Sequence, residues 1–371
     1  MRAFINTLTT PRRSVGSGRF AVLATCSANR LALLIALIGT VGLILADAVV
    51  RDEPVPQDDD LIYERMAEDP LAPHTYVFAF RVAVPWLVHV LPFDHTFSFS
   101  VLAWLASGTA GGMLFLLLEH VGIERRVSIP LALFLALSPP LFVASLRQGR
   151  NPDPLTVLVM VTGALFIVQR RPLPLALTML VGAFNRESAL FLGPLAYAVW
   201  AERLFDLRIL RRVGLAMLPA IAAFVTLRLA IPTVGREQVP GYGSLWGGRI
   251  TIVREVLEQP GVAARRLLST YGPLWLLAPI GFVGSQFARR GLVLVALCAV
   301  ACTFAMDWGR IAAIATPVVY VAAAWTVVRF PRTYVPTLVG CAVLVIGYAA
   351  YMQLVGVQNL IDAGPPPYPV R

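Results

Sequence analysis

Apolar runs of about 17–25 residues, long enough to cross a bilayer as helices, recur down the whole of this 371-residue chain. Short clusters of arginine separate them, and that alternation limits what the chain can fold into more than any other feature. The first strong run is Leu31 to Val50. Hydrophobic residues make up 57% of the chain and charged residues 14%, against about half and a quarter in soluble domains. No stretch between runs is long enough for a large separate domain. The chain therefore reads as an all-α, polytopic membrane protein. Residues 1–30 form a cytoplasmic segment, 31–355 a single transmembrane domain and 356–371 a Pro-rich tail outside.

The formal net charge is +10, and every basic residue is Arg. A charge of that size suits nucleic acid, but these arginines sit in the short loops that set membrane orientation, so no nucleic-acid partner is expected. The four cysteines and four histidines show no metal-ligand spacing. Cys298 and Cys302 share one helix face as small apolar residues.

Loop charge threads the chain through the bilayer. From a cytoplasmic N-terminus, Leu31–Val50 leads out to the acidic segment Arg51–Asp69. Tyr76–Leu91 is short and contains Arg81 and Pro85, so a helix at the outer interface is expected there. Further spans follow at Phe97–Val121, Val127–Leu146 and Leu155–Val168. Two short apolar pieces, Leu173–Phe184 and Ala189–Ala201, flank Asn185-Arg186-Glu187-Ser188. Then come Val213–Ile231, Leu267–Phe287, Gly291–Met306, Ile311–Val328 and Tyr334–Val355. The count is about eleven spans, with the pairs Arg125-Arg126, Arg170-Arg171, Arg211-Arg212, Arg289-Arg290 and Arg329/Arg332 all on the cytoplasmic side.

The same threading places the unusual polar groups at the outer face: Asp58 to Asp60, Arg81, Asp153, Arg186-Glu187, and Asp307 with Arg310. Ionisable residues at the membrane are expensive and are functional candidates by default. Guanidinium groups suit phosphate through a planar fork, and a carboxylate beside them suits a general base or a divalent metal. Each residue also has a plain alternative. Asp58 to Asp60 read as a solvated helix cap, Arg81 as a snorkelling side chain, Asp153 as a cap before Pro154, Arg186-Glu187 as a structural turn, and Asp307/Arg310 as a surface ion pair.

Several motifs, in order and on one side, resemble the GT-C superfamily of membrane glycosyltransferases. Asp59-Asp60-Leu-Ile-Tyr63-Glu-Arg-Met-Ala67 is similar to the D-x-x-x-Y-x-x-x-A start of the first outer loop in bacterial members. Phe80-Arg81-Val-Ala-Val-Pro85-Trp-Leu resembles their F-R-x-L-x-P-x-L segment. Asn151-Pro-Asp153, Asn185-Arg186-Glu187 and Asp307-Trp-Gly-Arg310 resemble later outer-loop motifs. The resemblance implies transfer of a sugar from a polyprenyl-phosphate carrier to an extracytoplasmic glycan or lipid acceptor, by an inverting enzyme of the inner (cytoplasmic) membrane. It implies Asp59, with Asp60 the close second, as the catalytic carboxylate that takes the acceptor hydroxyl proton, with Asp153 and Glu187 in support. Arg81, Arg186, Arg310 and Tyr63 would bind substrate phosphate. Asp59 and Asp153 would be the ligands of a divalent metal, magnesium or manganese, if one takes part. The rival readings are a secondary transporter for an anionic solute and a non-catalytic scaffold in envelope glycopolymer assembly.

Overall fold

The computed structural model describes residues 18–49, 58–76, 78–146, 150–234, 253–254, 257–258, 260–303 and 308–355. Asp307 and the segment 356–371 lie outside these residues.

Almost every described residue is helical, because in lipid a helix satisfies its own backbone groups. Five helices are long and apolar enough to cross a membrane, and a bent pair, Leu274–Gly284 with Gln286–Ala301 at 95°, makes six if counted as one span. They differ in depth. The span over Trp308–Arg329 is 89% buried inside the protein and that over His95–His120 67%, whereas the spans in Gly18–Val49, Leu207–Ala230 and from Pro331 onward are 22%, 22% and 11% buried. The first two form the core; the other three present apolar faces outward, which suits lipid and not water.

The elements run α1 (Gly18–Val49), α2 (Asp58–Glu68), β1 (His74–Thr75), a 3₁₀ turn (Phe78–Phe80), α3 (Ala83–Val90) and α4 (His95–His120). Then come α5 (Arg125–Ala136), α6 (Pro139–Leu146), α7 (Asp153–Val168), α8 (Pro172–Asn185), a 3₁₀ turn (Glu187–Phe191), α9 (Leu192–Trp200), α10 (Leu207–Ala230) and β2 (Thr233–Val234). The rest is α11 (Pro260–Tyr271), α12 (Leu274–Gly284), α13 (Gln286–Arg290), α14 (Leu292–Ala301), α15 (Trp308–Ala312), α16 (Thr316–Arg329) and α17 (Tyr334–Val355).

Two expected helices prove broken. Tyr76–Leu91 is a 3₁₀ turn followed by the eight-residue α3, which rises only about 12 Å. Pro85 sits in the first turn of α3, where its missing N–H costs nothing. Val127–Leu146 divides into α5 and α6 at Leu137-Ser138, because Pro139 and Pro140 cannot continue a helix begun before them.

Small residues hold α1 to α4. A Cβ on Gly112 would lie 2.6 Å from the Ala32 carbonyl oxygen, and one on Gly108 would lie 2.5 Å from that of Ala36. Gly111, on the neighbouring face, meets Ala132 of α5 at 2.8 Å. Such seams let helix backbones approach where lipid supplies no hydrophobic drive. We expect Gly112→Val to push α1 off and to cost about 1–3 kcal/mol, read as a lower thermal midpoint in detergent; an unchanged midpoint would mean that the seam carries no stability.

The bundle has two chemically different ends. At one, Arg212 donates to the Arg170 carbonyl at 3.2 Å, Arg290 to those of Val199 and Ala201 at 2.8 and 2.9 Å, and Tyr334 to that of Arg126 at 2.9 Å. The arginine pairs of the sequence thus gather at this end. At the other, β1 and β2 pair in parallel, His74 against Thr233 and Thr75 against Val234. That pairing ties the segment after α2 to the foot of α10. A second buried cluster, including Tyr63, Met66, Phe80, Val88, Phe99 and Leu227, packs α2, the 3₁₀ turn and α3 onto the ends of α4 and α10.

Candidate functional site

The polar groups are at this second end. The turn Asn151-Pro152-Asp153 builds its centre. Asn151 Oδ1 accepts from the Asp153 amide at 3.1 Å, a side-chain turn that sets where α7 begins. Asp153 is thus the first residue of α7 and does not cap it; Pro152 holds the cap position. Its carboxylate lies between two guanidiniums: Arg186 Nη1 donates to Oδ1 at 2.5 Å, and Arg310 Nε donates to Oδ2. Arg310 Nη2 reaches Asn151 Oδ1 at 2.9 Å. Three stretches distant in sequence therefore close on one carboxylate, which is buried along with most of Arg186.

Asn185 fixes the neighbouring strand of the site. Its Nδ2 donates to the Pro152 carbonyl at 3.0 Å and to Thr156 Oγ1 at 2.9 Å, which locks the end of α8 to the start of α7. The chain then turns out through extended Arg186 into the 3₁₀ turn that carries Glu187. Burial alone would raise the Glu187 carboxyl. The charges of Arg81 and Arg186, with a smaller effect from Arg228, outweigh it and hold the group below the usual carboxylate range, so Glu187 is ionised at neutral pH.

The first outer loop supplies the other wall. Buried Arg81 donates from Nη1 to the Tyr63 hydroxyl at 2.9 Å, and its guanidinium carbon lies 5.2 Å from the Phe78 ring centroid. Burial opposes its charge, but Tyr63 and Glu187 outweigh that and push it above the ordinary guanidinium value. Its Nε is shielded and has no hydrogen-bond partner among the described residues. Tyr63 follows Asp60 by three residues, one turn along α2, and Asp60 is 1% exposed. The acidic run is therefore not a solvated cap along its whole length. Asp58 and Asp59 open the same helix; their side chains lie outside what the structure describes.

Asp153, Arg186 and Arg310 thus form one ionic cluster, and Arg81, Tyr63 and Glu187 adjoin it. Arg310 pairs with Asp153, and the expected Asp307/Arg310 pair lies outside the described residues. Sequence reasoning gave no role to Arg150 or Arg228. Arg150 bonds Glu64 and Thr96, both at 3.3 Å, and so fastens α2 to α4. Arg228 stacks on Phe80 and Phe224 with ring-centroid distances of 4.4 and 4.3 Å. The available signal was a lone Arg near the end of an otherwise apolar run.

The residues around Asp153 do not fit a divalent cation. Both oxygens are taken by guanidinium groups, and Arg81 adds to the positive surroundings. Among the described residues no group of three His, Cys, Asp or Glu side chains is gathered as metal ligands.

No protein-family model and no curated protein matches the chain in sequence. Solved structures do match it. The Archaeoglobus fulgidus oligosaccharyltransferase, in a crystal structure with Zn and sulfate, superposes with a TM-score of 0.52 at 12% identity, over 88% of this chain and 53% of that one. The likeness is one of fold. This chain shares the fold of the matching part of that protein. A second crystal structure of that protein, tethered to an acceptor peptide with the NVT sequon, gives a TM-score of 0.47 at 13% identity, over 89% of this chain and 56% of that one. The chain spans about half the length of the protein it matches.

Proposed function

We propose that the chain is a membrane glycosyltransferase that moves a sugar from a polyprenyl-phosphate carrier to an extracytoplasmic glycan or lipid acceptor. One observation carries this reading. Guanidinium groups from four separate stretches, Arg81, Arg186, Arg228 and Arg310, converge with Asp153 and Glu187 at the bundle end opposite the arginine pairs. Arginine pairs mark the cytoplasmic side, so the cluster belongs outside, where about eleven spans from a cytoplasmic N-terminus would also put it.

The roles follow from the contacts. Arg81 holds its charge, keeps an unspent donor beside the site and is oriented by Tyr63, so it binds the phosphate that becomes the leaving group. Asp153 fixes Arg186 and Arg310 at their stations, from which they stabilise the same charge. Ionised Glu187 stays near the sugar as an acceptor for its hydroxyls. A carboxylate at the start of α2 takes the proton from the acceptor hydroxyl. The resemblance selects Asp59 for this and burial selects Asp60. Attack opposite the departing phosphate inverts the sugar carbon. A transporter would place its polar groups near half-depth between repeats, and here they gather at one end.

The test is a strain lacking this chain. One sugar linkage should disappear from its envelope glycans while the matching polyprenyl-phosphate-linked sugar accumulates. Unchanged glycans with an unchanged carrier pool would refute the proposal.

A further inference from the structure

The outward face of α10 carries exposed Leu215, Leu218, Ile221, Val225 and Leu229, so this helix borders lipid. Arg228 lies near its end, turned from that face toward the first outer loop. Its guanidinium stacks on Phe80 and Phe224, and two rings fix the plane and direction of a cation that alone would be mobile. Its Nε is nonetheless shielded from solvent and has no hydrogen-bond partner among the described residues, whereas shielded donors in native proteins are generally satisfied. Phe80 precedes Arg81 in the chain, and the Nε of Arg81 is shielded and unpartnered in the same way. Both guanidiniums act on Glu187. Two fixed cations with unspent donors thus face one region, one from the loop over the site and one from the helix that borders lipid.

We propose that Arg228 is a binding residue for a lipid-linked phosphate, which reaches the site from the lipid side at the foot of α10 and is shared there with Arg81. A free anion has no need of a guanidinium on a lipid-bordering helix; a phosphate whose other ester is a long apolar chain must approach beside such a helix. The inference rests on the donor class proposed above and names the residue that meets it first.

The experiment uses the full chain in lipid nanodiscs with three probes: farnesyl phosphate, farnesol and inorganic phosphate. The wild type should bind farnesyl phosphate more tightly than either of the others. Arg228→Met keeps an apolar stem between the rings and removes the charge. It should weaken farnesyl phosphate about 10-fold, the loss of one charge-assisted hydrogen bond, and leave farnesol unchanged. Arg228→Lys keeps a cation over the rings without the fork and should fall between. It carries the test alone if the Met variant does not fold. Unchanged farnesyl phosphate binding in these variants, or equal weakening of phosphate and alcohol, would overturn the role of Arg228 while the donor reading stands. Inorganic phosphate binding as tightly as farnesyl phosphate would overturn the lipid-linked source. A wild type that binds farnesyl phosphate and farnesol alike would overturn the donor reading itself, and this inference with it.

Discussion

Replacing Asp59 and Asp60 together by Asn is expected to lower sugar transfer ~10²–10⁴-fold, the usual cost of removing a general base. Variant and wild type are to be compared at matched membrane abundance. Asn keeps the size of each side chain and removes only its charge, and relief of repulsion within Asp58 to Asp60 favours the helix, so lost activity reads as lost chemistry. The single variants then apportion the role. Asp60 is buried one turn before Tyr63, which orients Arg81; Asp59 stands four residues before Tyr63, as the family motif has it. Near-wild-type transfer in the double variant would remove the acid from the mechanism and leave the start of α2 as a structural element.

Asp153→Asn is expected to act on folding rather than on rate alone. The carboxylate compensates two guanidiniums, Arg186 with a side chain 11% exposed and Arg310 with one 25% exposed. Removing one partner of a buried ionic cluster leaves the other charge uncompensated and costs about 3–5 kcal/mol; the more exposed Arg310 places the value at the lower part of that range. The measurement is the thermal midpoint of the purified variant in one detergent, with yield as a second readout. A double-mutant cycle with Arg310→Met isolates the pair, since removing the second charge should restore part of the loss through a coupling of about 0.5–3 kcal/mol. Full stability in Asp153→Asn would show that water or another group already compensates the arginines, and the cluster would lose its structural role.

How much was legible in the sequence depends on the range of the interaction. Apolar runs and arginine pairs are local signals, and they placed α4, α7 and α17 to within two residues, while α10 begins six residues before the expected Val213, its first turns carrying Arg208, Arg211 and Arg212. The run over Leu173–Ala201 was split at Asn185-Arg186-Glu187, where α8 ends, because a polar triplet with two charges does not continue an apolar helix. Breaks set by proline within apolar runs were missed: Pro139 and Pro140 end α5, although the hydropathy across them is continuous. At the site, residue types were legible and partnerships were not. The linear pattern offered Arg310 only its sequence neighbour Asp307, and gave no sign that Arg310 pairs with Asp153, 157 residues away. Only the packing of α15 beside the start of α7 brings those two together. Arg228 escaped notice as a single charge within a long apolar stretch, and Arg150 as one of several charges in the polar segment Arg147–Asp153; nothing in the linear pattern tells a charge turned inward from one that snorkels to water.

The pairing of β1 with β2 has a mechanical consequence. The segment over the site is anchored twice: it runs on through α3 into the central helix α4, and its other side is hydrogen-bonded to the foot of α10, with the Tyr76 amide on the Val234 carbonyl at 2.9 Å. A strap anchored at both ends does not swing like a flap. For it to lift with this pairing intact, α10 would have to shift, and the outward apolar face of α10 suits contact with the bilayer. On the proposed function, an opening that keeps this pairing would gear substrate exchange to the membrane, and acyl-chain length and order would become terms in the turnover rate with no lipid touching the reacting groups.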